Sequence, residues 1–261
     1  MKSKYLKYLI LASVLAFGTA VPNGAPAAVQ MLPNLVPSWP SSIQIGAADA
    51  GSPYAFALRF TTRVENTGAF PFDLLASPDD PSYLDEQGAV AQECVSWTVR
   101  LCQEREPVGT FSWSTSHQHY HITNFARYEL RRLIDDPSTP EVDPHEIPDM
   151  SPSGSVTSGG KVTFCMEDSG GVGGMSYTNP NSAAIYESCD AVLQGISSGN
   201  YDEYPYNLDG QQLSLNDVND GYYAIVVTVN PLGNFLETTR SDDVAWTRIY
   251  LSGGGTRVTV I

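Results

Sequence analysis

The 261-residue chain has four histidines, and three of them alternate in the run Ser116-His117-Gln118-His119-Tyr120-His121. Imidazole nitrogens are favoured ligands for first-row metals, and copper stands highest in the affinity order for such donors. A three-imidazole cluster in a His-poor chain therefore predicts a copper or zinc site. Alternate side chains share one face of an extended strand, but at about 3.3 Å per residue His117 and His121 would lie about 13 Å apart at Cα. One ion can take all three only where the chain curves. His145 stands alone in a Pro- and Asp-rich stretch and reads as surface decoration.

A second singular residue is Lys161. The other lysines, Lys2, Lys4 and Lys7, lie in a leading segment whose basic start, apolar run from about Tyr8 to Phe17 and small residues up to Ala27 are the three regions of a secretory signal. Cleavage after Ala20 or Ala27 fits, and an uncleaved anchor is the rival reading. Removing residues 1–27 takes the net charge from −15 to −18 and leaves Lys161 as the one lysine of an exported chain. That acidity argues against nucleic-acid backbones as partners, and no other segment is apolar and long enough to span a membrane. Four cysteines in an exported protein are expected to be oxidised and allow three pairings, of which Cys94–Cys102 would staple a short loop.

The elements that must position these residues read as strands. Ala57–Val64, Ile122–Leu130, Lys161–Cys165, Tyr222–Val229 and Trp246–Leu251 are rich in β-branched and aromatic residues, and Ser252–Gly255 turns the chain into a closing hairpin at Thr256–Ile261. The best-fitting class is all-β, a single-domain antiparallel β-sandwich with long irregular loops, made from residues 28–261. Residues 135–160 carry Pro, Asp, Ser and Gly without periodicity, which predicts a long surface loop within the domain. A linker between two domains is the rival, though the flanking strands are too few for separate cores.

Phe111–His121 followed by Phe125, Tyr128 and Leu130 resembles the copper-binding signature of the lysyl oxidases. LPNLVP at Leu32–Pro37, the LRF and RVENTG blocks at Leu58–Gly68, GKVTFCMED at Gly160–Asp168, QGISSGNYDEY at Gln194–Tyr204 and NPLGNFLET at Asn230–Thr238 match in the same order. The similarity covers nearly all of the chain after the leader, and by it the chain is identified as a secreted, microbial-type member.

The resemblance implies that His117, His119 and His121 ligate Cu(II). It also implies that Lys161 and Tyr204 combine into lysyl tyrosylquinone, so the family gives a covalent role to the singular lysine. The implied reaction takes a primary amine, peptidyl lysine or a small amine, to an aldehyde, with ammonia and hydrogen peroxide released and O2 consumed. Such chemistry needs a carboxylate base, for which Asp202 and Asp209 near Tyr204, and Glu167 and Asp168 near Lys161, are candidates. The family's calcium site maps to Asn34, Leu35, Glu237, Thr239, Asp242 and Asp243, where Asn34 and Thr239 replace acids. Ser116 and Gly171 each replace one member of two family cysteine pairs, which leaves Cys165 and Cys189 to pair with each other. Asn200 and Gly210 replace a further pair that brackets the cofactor tyrosine, and Ser114 replaces a histidine outside the three ligands. Rival readings are a non-catalytic secreted copper-binding β-sandwich, which has no need of Lys161 and Tyr204, and a zinc or iron enzyme using the same histidines.

Overall fold

Runs of β-branched and aromatic residues punctuated by glycine and proline give strands throughout. In the computed structural model, residues 32–76, 89–93, 107–138, 146–159, 161, 163–173 and 186–261 are described, and among them there is no helix. All paired strands are antiparallel and fall into three six-stranded sheets. Residues 1–31, which include the expected export signal, and Cys94, Cys102 and His145 lie outside the described residues. No helix among those described is long and apolar enough to cross a membrane.

The first sheet is built around Phe56–Asn66, which pairs with Leu35–Pro37, Ser41–Ala47, Asn200–Tyr204 and Gln212–Ser214. Its register sets Tyr204 opposite Thr62. Alternation is visible along the central strand: Leu58, Phe60, Thr62, Val64 and Asn66 are all buried. In the second sheet Gly221–Val229 runs between Ala126–Ile134 and Val244–Ser252, and the chain closes with Arg257–Val260. Both faces of Gly221–Val229 are covered, which explains its unbroken apolar run. Ile225, Val227 and Val229 enter the main core, while Ala224 and Val226 pack with Leu133 and Trp246 on the other side. The glycines at 253, 254 and 255 all adopt φ near +70°, the left-handed turn the SGGG motif predicts.

The third sheet contains Pro107–Ser114, His119–Thr123 and Thr163–Phe164, with Ala89–Glu93, Phe72–Ala76 and Leu193–Ile196 beyond them. One core joins all three sheets. Phe60 of the first sheet meets Tyr128 of the second, Tyr128 meets Phe164 of the third, and Phe164 meets Tyr204 edge to face at 5.2 Å. Each such ring contributes about 1.5–3 kcal/mol of hydrophobic free energy on burial, so the site is seated on a run of packed aromatic rings that joins the three sheets.

Three expected elements differ. Of Lys161–Cys165 only Thr163–Phe164 is a strand, and Lys161 stands before it outside any strand. Ile122–Leu130 is not one strand: Asn124 takes φ +58°, and the chain breaks there into His119–Thr123 of the third sheet and Ala126–Ile134 of the second. Asparagine tolerates that left-handed conformation where a β-branched residue would not. Residues 135–160 stay with the domain, but where described they fold back as the short strands Ile147–Pro148 and Ser155–Ser158 against Ala126–Ile134. The buried Arg131 guanidinium donates to the carbonyl oxygens of Asp149 and Ser151 and holds this return.

Candidate active site

The curvature that the histidine run needs comes from a hairpin. Pro107–Ser114 and His119–Thr123 pair with Ser114 opposite His119, and the turn between them puts Gln118 at φ +58°. The Gln118 N–H donates to the Ser114 carbonyl at 2.7 Å, and the His117 N–H lies 3.4 Å from the Ser114 hydroxyl. His119 and His121 share a strand face, and His117 folds over them from the turn. The ring centroids of His117 and His121 are 5.0 Å apart, and the Nε2 atoms of His119 and His121 are separated by 3.0 Å. A ligand nitrogen from each of the three lies within 4.8 Å of the others.

These histidines fit a divalent first-row metal. Nitrogen ligands at about 2.0–2.1 Å from one ion sit about 3–3.5 Å apart, so small side-chain movements close the site. Burial pushes all three imidazoles below their ordinary pKa, His121 furthest, to about 3. They are therefore neutral at pH 7, the form that ligates. His121 Nδ1 is 3.0 Å from the Thr163 hydroxyl. With Nδ1–H donating there, the Nε2 lone pair faces the cluster. Sequence reasoning missed Thr163, whose only signal was its place two residues after Lys161.

Lys161 is buried, 6% exposed, with Nζ 4.7 Å from the centroid of the Tyr204 ring and 5.3 Å from that of Phe164. Burial lowers its pKa to about 8, against the opposing pull of Asp202, Asp49 and Asp209. At pH 7 about one amine in ten is then neutral, a few hundred times the fraction of a solvated lysine. Gly210 supports the stem. At φ +83° it takes a conformation that favours glycine, and a Cβ there would sit 3.2 Å from Lys161 Cβ and Cδ.

Tyr204 is buried too, and its hydroxyl lies against the Asp202 carboxylate and the Cys165 carbonyl oxygen. Burial, then the Asp202 charge, raises the phenol well above its ordinary range. Burial likewise lifts Asp202 to about 7. Asp202 also accepts from Ser169 Oγ at 3.1 Å. The four base candidates now separate. Asp202 touches the phenol, while Glu167 and Asp209 stand on the wall of the same pocket. Asp168 is turned away, accepting from the Ser197 N–H and hydroxyl and from the Tyr186 N–H.

The three histidines, Lys161 and Tyr204 line one pocket of about 450 Å³ whose wall carries Glu167, Asp202, Glu203 and Asp209. Cys165 and Cys189 are disulfide-bonded, as the resemblance implied, with Cα atoms 5.4 Å apart. Their sulfurs and a ring nitrogen of His119 all lie within 4.8 Å of one another, but sulfurs bonded to each other are not thiolate ligands. The Tyr120 N–H donates to the Cys189 carbonyl at 3.0 Å, so the bridge ties the Lys161 segment to the histidine strand.

The residues mapped for calcium also come together. Asn34 Nδ2 donates to Asp242 Oδ2 at 2.9 Å and the Leu35 N–H to Glu237 Oε2 at 2.8 Å. The Thr239 N–H donates to Asn34 Oδ1 at 3.3 Å, and Arg240 pairs with Asp243 at 3.0 Å. Burial raises the Glu237 carboxyl to about 7, and Asp242 Oδ1 and Asp243 Oδ1 are buried with no hydrogen-bond partner. Oxygen atoms left in that state fit a hard cation.

The lysyl oxidase family model matches residues 98–260. Over 148 residues the chain is 30% identical to Homo sapiens lysyl oxidase homolog 1, covering 56% of this chain and 21% of that protein. Over 197 residues it is 29% identical to the protein-lysine 6-oxidases of Rattus norvegicus and Sus scrofa. Those alignments cover 75% of this chain but 34% and 57% of the two relatives. The chain thus spans well under two thirds of these relatives. The family match takes in well over half of the chain, including every residue that lines the pocket, and on that ground the chain belongs to the lysyl oxidase family.

Proposed function

We propose that the protein is a secreted copper amine oxidase that deaminates primary amines, peptidyl lysine or small amines, through a cofactor made from its own Lys161 and Tyr204. The observation that carries this reading is the buried, partly neutral Lys161 amine over the Tyr204 ring in the pocket of three neutral imidazoles. Copper on His117, His119 and His121, together with the lysyl tyrosylquinone, would supply the redox chemistry that turns amine, O2 and water into aldehyde, ammonia and hydrogen peroxide.

The chain's own residues prepare each part of this. Asp202 accepts the phenolic proton of Tyr204, since its carboxyl touches that hydroxyl and its pKa of about 7 matches the task. A desolvated Lys161 keeps the lone pair a nucleophile needs. Thr163 fixes the His121 ring. The acidic wall attracts a cationic amine into the pocket, and Asp202 is the group best placed to take a proton from the carbon beside the substrate nitrogen. Residues 1–27 serve as the export signal, and residues 28–261 form the catalytic domain. Calcium, held by Asn34, Leu35, Glu237, Thr239, Asp242 and Asp243, would join the two ends of the fold.

The test is to load metal-free protein with Cu(II) in air and map its peptides. The expected outcome is a covalent Lys161–Tyr204 peptide pair with visible absorption, lost in Lys161→Arg and in Tyr204→Phe. Amine turnover by Lys161→Arg would refute the cofactor assignment. A melting temperature insensitive to Ca(II) would refute the calcium site.

A further inference from the structure

Between Tyr204 and Gln212 the chain leaves one strand of the first sheet and returns as another. Asn207, Leu208 and Asp209 of this loop form part of the pocket wall, and Gly210 lies against the Lys161 stem. The loop is held from behind by a group outside the pocket. Arg59, 8% exposed, donates from Nε to the Tyr206 carbonyl and from Nη2 to the Leu208 carbonyl, each at 2.7 Å. Its Nη1 pairs with Asp49 Oδ1 at 2.7 Å. The other carboxylate oxygen of Asp49 accepts the Gly210 N–H at 2.6 Å. Gln212 Oε1 accepts from the Asp49 N–H at 3.0 Å and completes the ring.

A planar guanidinium with its donors directed at two carbonyls and a carboxylate fixes three points of a short loop at once. A buried ion pair with its remaining donors satisfied is rigid, and removal of one partner exposes the loop to opening. We propose that Arg59 and Asp49 are positioning residues: a clamp that latches the 205–211 loop over Lys161 and holds its amine against the Tyr204 ring. The proposal rests on the reading of Lys161 and Tyr204 as cofactor precursors, and goes beyond it by saying what aligns them.

The clamp can be tested without copper. In metal-free full-length protein, acetylation of Lys161 by acetic anhydride is followed by peptide mass, with an added lysine-containing peptide as the internal standard. In Asp49→Ala, assayed at about pH 9.5 where an amine of pKa about 8 is neutral with or without the Asp49 charge, Lys161 should be acetylated about tenfold or more faster than in wild type, with little dependence on dilute urea, as local opening exposes little surface. Asp49→Asn, which keeps an acceptor for the Gly210 N–H, should fall between the two. In parallel copper-loaded samples the yield of the Lys161–Tyr204 cross-link should drop in the same order. An unchanged acetylation rate in Asp49→Ala would overturn the clamp. So would an increase that follows the steep urea dependence of global unfolding, or faster acetylation with an undiminished cross-link. Absence of a cross-link in wild type would count against the cofactor reading alone, and the acetylation ratio would still decide whether the loop is latched.

Discussion

Replacing Lys161 by methionine should make the metal-free protein more stable. The lysine amine is held in an environment that lowers its pKa from 10.5 to about 8. That difference corresponds to about 3 kcal/mol of preference for the neutral form. Below pH 8 the lysine is protonated in both the folded and unfolded chains, and the folded state bears the whole penalty. Between pH 8 and 10.5 the folded amine is already neutral while the unfolded one still holds its proton, so wild-type stability rises with pH and the penalty is gone above 10.5. Methionine keeps a flexible apolar stem beside Gly210 and the rings of Phe164 and Tyr204 without the charge. At pH 7 the gain should be about 1–3 kcal/mol, the lower figure allowing for relaxation of the pocket around the charge. For a domain of this size that is about 3–10 °C in Tm. Urea unfolding of wild type and Lys161→Met, with the disulfide intact, should show the variant's midpoint higher at about pH 6.5 and the advantage mostly gone at about pH 10.5. Equal midpoints at the lower pH, or an advantage that grows with pH, would refute the argument that burial holds this lysine ready at the expense of stability.

His119→Ala should abolish stoichiometric Cu(II) binding measured by calorimetry, because it removes the ring 3.0 Å from His121, whereas His145→Ala should leave it intact. Gly210→Ala should destabilise the fold by about 1–2 kcal/mol through its positive φ and contact with Lys161, and denaturant titration together with cross-link yield would register both effects. Cys189→Ser should lower Tm and reduce cross-link yield without eliminating it, since the histidine hairpin and the core still constrain both segments. Peptide mapping of unreduced protein that joined Cys165 to anything but Cys189 would contradict the structure.

The histidine run and Lys161 stand out by rarity and spacing, which are properties of the sequence alone, whereas Tyr204, one of fourteen tyrosines, is singled out only by the family resemblance. The hairpin that gathers the imidazoles was foreseen only as a requirement for curvature, since nothing in SHQHYH says where a strand becomes a turn. The break at Asn124, one polar residue in an otherwise strand-like run, moved half of a predicted strand into a different sheet. Asp202 could not be chosen over Asp168 by proximity in sequence. Pairing along Phe56–Asn66 points one carboxyl at the phenol, and Ser197 and Tyr186 hold the other away. Arg59 and Asp49 gave no signal, because a buried arginine and a surface one look alike until the loop that they hold is seen.

The histidines are contributed by one hairpin and lie within five residues of each other, whereas Lys161 lies outside any strand, just before Thr163–Phe164 of the third sheet, and Tyr204, 43 residues further on, ends a strand of the first. Contacts so local form early and without the rest of the chain, while the meeting of amine and phenol waits for the slow, non-local assembly of the core. Under the proposed function, a nascent molecule would therefore capture its metal before it holds anything for that metal to oxidise. Maturation would then be timed by topology: the cross-linking of Lys161 to Tyr204 would be open only to a chain that has already folded correctly, and a misfolded copy would stay uncoloured and inert.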